Sequence, residues 1–133
     1  MESYSVGQIA KKAKLNTETL RYYEKISIMP KPKRRESRYR IYNDNDLLRL
    51  KFIKRTKELG FTLKEIKELL SLKVDSKAKC GDLKDVAEVK INDIKKKIKD
   101  LNKIKHQLEL LVNKCVNEEL SIEDCPIVKS LEK

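Results

Sequence analysis

Near the start of the chain, apolar residues fall at Val6, Ile9, Ala10 and Ala13, a spacing of three and four that lays them on one face of a helix. Leu15 then stands in a break before Asn16, a residue suited to cap a helix, and Leu20 and Tyr23 follow on the inner face of a second helix. Two short helices joined by a tight turn are predicted, with Thr17, Glu18, Arg21 and Tyr22 facing outward from the second. The next stretch, ISIMPKPKRRESRYRIY from Ile26 to Tyr42, holds two of the three prolines and six basic residues between Lys31 and Arg40. Proline excludes a helix interior, so this segment predicts a short hairpin or wing. In NDNDLLRLKFIKRTKELGFTLKEIKELLSLK two more helices follow, the first capped by Asp44 or Asn45, with Leu47, Leu50, Ile53 and Thr56 along one face and Gly60 at its end. Thr62 caps the second, with Glu65 at the capping-box position.

From Leu83 onward the period changes to seven. Ala87, Ile94, Leu101, Leu108 and Cys115 form one series and Ile91, Ile98 and Val112 a second, which Lys105 interrupts. This is the seam of a coiled coil of some four heptads. A lone helix cannot bury such a stripe, and a second copy of the chain is the economical partner. The fold class expected is therefore all-α with a small β wing: a helix-turn-helix unit over 1–75, a linker over 76–82, a long dimerisation helix over 83–115, and a loop with a short C-terminal helix over 116–133.

Charge sharpens the division. The net charge is +11 over 133 residues, and 19 Lys+Arg against 10 Asp+Glu fall within the first 75, whereas the rest carry 13 against 11. A basic front half suits a nucleic-acid surface. Arg and hydroxyl groups on the second helix fit a major-groove reader, and basic residues mixed with Tyr39 and Tyr42 on the wing fit phosphates beside it. No run of 18 or more apolar residues exists and the N-terminus lacks an apolar signal segment, so the expectation is a cytoplasmic protein with no membrane partner.

Three cysteines, an odd number at wide spacing, argue against a disulfide framework. Cys80 and Cys115 are 35 residues apart, on the order of 50 Å along a helix, so they cannot meet within one chain. Antiparallel pairing of two such helices brings Cys80 of one copy to Cys115 of the other; parallel pairing puts like with like. Cys125 precedes Pro126, a favourable first helical residue, and so caps a short terminal helix. Taken singly, Cys115 fits the seam, Cys80 a linker and Cys125 a cap. Soft thiolates together select soft ions.

The stretches SVGQIAKKAKLNTETLRYYEKISIMP, RYRIY and LKFIKRTKELGFTLKEIKELL resemble, in order and spacing, the winged-helix DNA-binding domain of the MerR family of transcriptional regulators. The resemblance covers roughly residues 5–75. It implies DNA contacts from Thr19, Arg21 and Tyr22 on the recognition helix, from Arg34, Tyr39 and Arg40 in the wing, and from Lys57 on the following helix. Where the family has Gly just before the wing's YR pair, this chain has Arg38.

One cysteine at the start of the dimerisation helix, one at its end and a third in a CP pair resemble the metal-sensing branch, and KCGDL and CPIVKSLEK look most like its mercuric-ion regulators. That resemblance implies a metal site of Cys80, Cys115 and Cys125 shared between the subunits of a homodimer. The effector it implies is Hg(II), with Cd(II), Pb(II) or Zn(II) as alternatives. Copper sensors of the family lack the first cysteine, and zinc sensors add a further Cys and a His, whereas the single histidine here, His106, lies nine residues before Cys115. The mechanism implied is repression of a promoter with over-spaced elements without metal, then activation by DNA distortion that lets RNA polymerase engage both elements. A regulator of a redox signal or organic ligand would use the same front half but needs a long C-terminal ligand domain or clustered cysteines. An enzyme needs an open metal position with a general base, or a CxxC pair, and neither occurs here.

Overall fold

The computed structural model describes residues 3–31, 33–34 and 40–133, with the side chains of 33 and 34 left out. The elements run β1 (Ser3–Tyr4), α1 (Val6–Lys12), α2 (Thr17–Lys25), β2 (Lys33–Arg34), β3 (Arg40–Asn43), α3 (Asp44–Glu58), α4 (Leu63–Val74), α5 (Cys80–Val112), a 3-10 turn (Ile122–Asp124) and α6 (Pro126–Leu131). A mostly helical chain with a small sheet is the fold class the sequence predicts. The chain divides into two compact units, Met1–Leu83 and Lys84–Lys133.

In the first unit the predicted faces meet. Ile9 from α1 and Ala13 at its C-cap, Leu20 and Tyr23 from α2, Leu47, Leu50 and Ile53 from α3, and Ile66 and Leu70 from α4 form one buried cluster. The α1–α2 turn is closed by the Leu15 N–H donating to the Ala10 carbonyl at 2.9 Å, with Lys14 in the left-handed region at φ 57°. Asn16 caps α2, its side chain accepting from the Thr19 N–H at 2.7 Å.

Three features of the first unit differ from the expectation. The cap of α3 is Asn43, not Asp44 or Asn45. Asn43 is the last residue of β3 and still extended, so its side chain accepts the Asp46 N–H while the Asp46 carboxylate accepts the Asn43 N–H, both at 2.9 Å. Asp44 is left in the first turn, where it accepts from the Tyr4 hydroxyl at 2.6 Å. The sheet also has a third strand: β1 pairs antiparallel with β3 through Ser3–Asn43 and Tyr4–Tyr42, in the order β1-β3-β2. Finally, the segment expected to be wing begins in the core, since Ile28 and Met29 are fully buried and both their N–H groups donate to the Tyr23 carbonyl.

The boundaries of the long helix shift by three residues at each end relative to 83–115. It starts at Cys80 because the Asp82 carboxylate accepts the Lys79 N–H at 2.8 Å, and the 75–79 segment before it is a turn held by Asp75 accepting from the Lys77 N–H at 2.9 Å. It stops at Val112, after which Lys114 and Cys115 donate to Leu111 and Val112 in tighter i to i−3 bonds. Every residue from 91 to 110 is exposed in the single chain, including Ile94, Ile98, Leu101 and Leu108 of the heptad series.

Candidate DNA interface and metal centre

The recognition helix presents what a groove reader needs. Leu20, Tyr23 and Glu24 are buried, which fixes the opposite face outward: Arg21 and Glu18 are exposed, Tyr22 is 50% exposed, and Thr17 and Thr19 are half-buried. The Tyr22 ring leans on Tyr23, centroids 6.4 Å apart. Lys57 is exposed at the end of α3, where its carbonyl accepts the Gly60 N–H at 3.0 Å and Gly60 adopts φ 92°. These four candidates, Thr19, Arg21, Tyr22 and Lys57, therefore stand on rigid, capped elements of one unit.

The wing candidates divide. Tyr39 and the family departure Arg38 lie outside the described residues, and Arg34 is placed only as backbone in β2, paired with Arg40. Arg40 has an intramolecular partner. Its guanidinium donates to Glu24 Oε1 at 2.6 Å, and the Tyr42 hydroxyl donates to Glu24 Oε2 at 2.8 Å. The Glu24 side chain is only 6% exposed and that of Arg40 30%. A buried carboxylate needs such partners, and here both come from β3, so the pair ties the recognition helix to the strand that leads out of the wing. Burial, then the hydrogen bond and the charge of Glu24, push the Tyr42 hydroxyl up to about 12. Glu24 was not among the sequence candidates. The signal for it was a carboxylate next to Tyr23 on the inner face of α2, where the other buried residues are Leu20 and Tyr23.

The three thiols are all free. Cys80 is exposed at the first residue of α5, and Cys115 and Cys125 are half-buried. The loop between the last two is internally braced: Asn117 accepts from the Glu119 N–H at 3.1 Å, Ser121 donates to Asp124 at 3.2 Å, and the Lys114 ammonium donates to Ser130 Oγ at 2.7 Å. Cys125 is the N-cap of α6 with Pro126 behind it, and its side chain makes no capping hydrogen bond. Among the described residues of the single chain no three His, Cys, Asp or Glu side chains converge on one point. The donors available are three uncommitted thiols, and thiolates of this kind select soft ions. His106 is exposed on α5.

Residues 4–73 match the family described as MerR HTH family regulatory protein, and residues 47–111 match the family described as MerR, DNA binding. The chain belongs to the MerR family and is a DNA-binding transcription regulator, not an enzyme. It is 44% identical over 130 residues to the mercuric resistance operon regulatory protein of Bacillus cereus, covering 98% of each chain. Among solved structures, the dual function transcriptional regulator MerR of Bacillus megaterium MB1 in complex with mercury(II) is 39% identical, with a TM-score of 0.78 over 98% of this chain and 100% of that one. The regulator PbrR691 of Ralstonia metallidurans CH34 in complex with lead(II) is 31% identical, with a TM-score of 0.86 over 96% and 98%. No helix among the described residues is long and apolar enough to cross a membrane.

Proposed function

We propose that this chain is a cytoplasmic, homodimeric, mercuric-ion-responsive regulator of a promoter. It holds double-stranded DNA through Thr19, Arg21, Tyr22 and Lys57 together with Arg34, Tyr39 and Arg40 of the wing. Within that set Arg40 acts mainly by fixing the wing against α2 through Glu24. The observation that carries the metal half of the proposal is the position of three free thiols at the first residue of α5, just past its end, and at the cap of α6. With α5 of two copies antiparallel, Cys80 of one subunit joins Cys115 and Cys125 of the other at each end of the dimer. Three thiolates in a plane suit Hg(II), and the 44% identity to a mercuric resistance regulator favours the same ion. Binding there ties the C-terminal loop of one subunit to the start of α5 in the other, next to that subunit's DNA-binding unit. The distortion this imposes on DNA is of the order of a few kcal/mol, enough to switch a promoter from repressed to engaged by RNA polymerase.

The likeness to the lead(II)-bound regulator supports a second reading in which the same site takes Pb(II), Cd(II) or Zn(II). A heterodimer of Cys80→Ser and Cys115→Ser chains separates the possibilities. One end of it collects both mutations and the other keeps all three thiols, so the expected result is one three-thiolate Hg(II) site per dimer, read by its charge-transfer band, where each parent homodimer lacks that three-thiolate band. A heterodimer without that site, beside a wild type that has it, ends the shared-site reading; a wild type that gives the band only with Pb(II) or Cd(II) ends the mercuric one.

A further inference from the structure

Five cations converge on one open cleft of the first unit, and none is among the residues assigned above to DNA. The cleft, about 520 Å³, is lined by Lys12 and Lys14 from the end of α1 and the turn after it, and by Lys51, Lys54, Arg55 and Glu58 from α3. Several are held in place. Lys54 Nζ donates to the Lys14 carbonyl at 2.6 Å, Lys12 Nζ stands 5.4 Å from the centroid of the Tyr4 ring, and Arg55 reaches Glu58 at 3.8 Å. Glu58 thus offsets one charge and leaves a surplus of four. Like charges gathered this way repel until an anion enters.

Lys14 adds an independent observation. Its φ of 57° closes the end of α1 in a conformation that glycine or asparagine adopts more readily. A cation is kept there against the backbone preference, and its own carbonyl positions a second cation.

We propose that this cleft is a further binding surface for the phosphate backbone of duplex DNA, holding two phosphates beyond those met by α2, the wing and Lys57. The inference rests on the DNA-binding reading above. Two features favour DNA over an acidic protein. In the chain the cleft residues adjoin the DNA elements on both sides, Lys14 lying two residues before the α2 cap Asn16 and Arg55 two before Lys57. The cleft's charged lining also lacks an aromatic anchor of the kind around which protein interfaces concentrate their energy.

The test variant is Lys14→Gly with Lys51→Gln, because glycine removes the charge while suiting the backbone, and Lys51 is exposed on α3. Binding of the full-length protein to a mixed-sequence duplex of about 40 base pairs is followed by fluorescence anisotropy between about 50 and 200 mM salt. The slope of log affinity against log salt is expected to become shallower by about 1.8 per bound protomer, 0.9 for each lost phosphate contact, with unchanged thermal stability. Binding of wild type with a slope that the double variant leaves unchanged overturns the proposal and leaves the DNA-binding reading standing. If the slope is unchanged but promoter activation falls, the cleft meets an acidic protein, and the proposal fails in favour of that partner. A wild type that does not bind the duplex at all removes both readings.

Discussion

The two units solve the problem of an apolar stripe in opposite ways. In the first, the stripes of α1 to α4 close on one another and on Ile28, Met29 and Tyr42, so that the core is complete within one chain. In the second, α5 carries Ile94, Ile98, Leu101 and Leu108 at heptad spacing with each of them exposed, and Leu101 is 63% exposed. The first unit can therefore hold its reading helix in shape alone. A two-stranded partner is what the second requires, since long isolated helices gain most of their stability from packing a face rather than from propensity. On the function proposed above labour is thereby divided: recognition sits on a self-sufficient unit, and the switch sits where folding and assembly are the same event.

The largest effect should come from breaking that division at its exposed side. Leu101→Asp places a charge in the middle of the seam, where pairing would have to desolvate it. The dimer should dissociate at micromolar concentration, the three-thiolate band with Hg(II) should vanish with it, and the thermal transition of the first unit should persist. Sedimentation showing an intact dimer would move the interface off this stripe.

A smaller effect should arise inside the self-sufficient unit. Glu24→Gln keeps the shape of the side chain but removes the charge that Arg40 and the Tyr42 hydroxyl both address. Loss of a partly buried charge-assisted pair should destabilise the first unit by about 1–3 kcal/mol in urea unfolding and leave dimerisation untouched. Equal midpoints for wild type and variant would mean that α2 and β3 are held together by packing alone.

The difference between the units also explains what could be read from the residues in advance. The buried face Leu47, Leu50, Ile53 and Thr56 and the caps Asn16 and Thr62 were legible because each depends on neighbours three or four residues away. Tyr4 in β1 was not, since two residues show no alternation and the strand exists only through its pairing with β3. The expected cap of α3, Asp44 or Asn45, lies one or two residues late because Asn43, Asp44 and Asn45 are all good caps, and the choice falls to the residue that β3 leaves extended. The Glu24–Arg40 pair joins residues 16 apart across a turn of the chain, and the cleft of Lys14 and Lys54 joins residues 40 apart. Of the candidate site, the exposed face of α2 and the three separate thiols were visible at once. On the function proposed above a second copy gathers the thiols, which no periodicity within one chain can display beyond an uncovered stripe.

The smallest and most specific effect concerns the proton on Tyr42. Its hydroxyl is buried and donates to Glu24, and the group is pushed from an ordinary value of 10.0 up to about 12, by burial first and by the Glu24 carboxylate next. The folded chain thus holds this proton more tightly than the unfolded chain does, so the stabilisation it represents is complete below pH 10 and is lost as the pH rises through about 12. Tyr42→Phe keeps the ring in the core and removes the titrating group. Wild type should show a decline in the urea midpoint of the first unit between those two pH values, and Tyr42→Phe should show less of it, beginning from a lower midpoint near neutrality because Glu24 has lost a donor. Parallel profiles for the two proteins across that range would show that the alkaline limb belongs to other groups, and that the bond between Tyr42 and Glu24 orders the strand without storing pH-dependent stability.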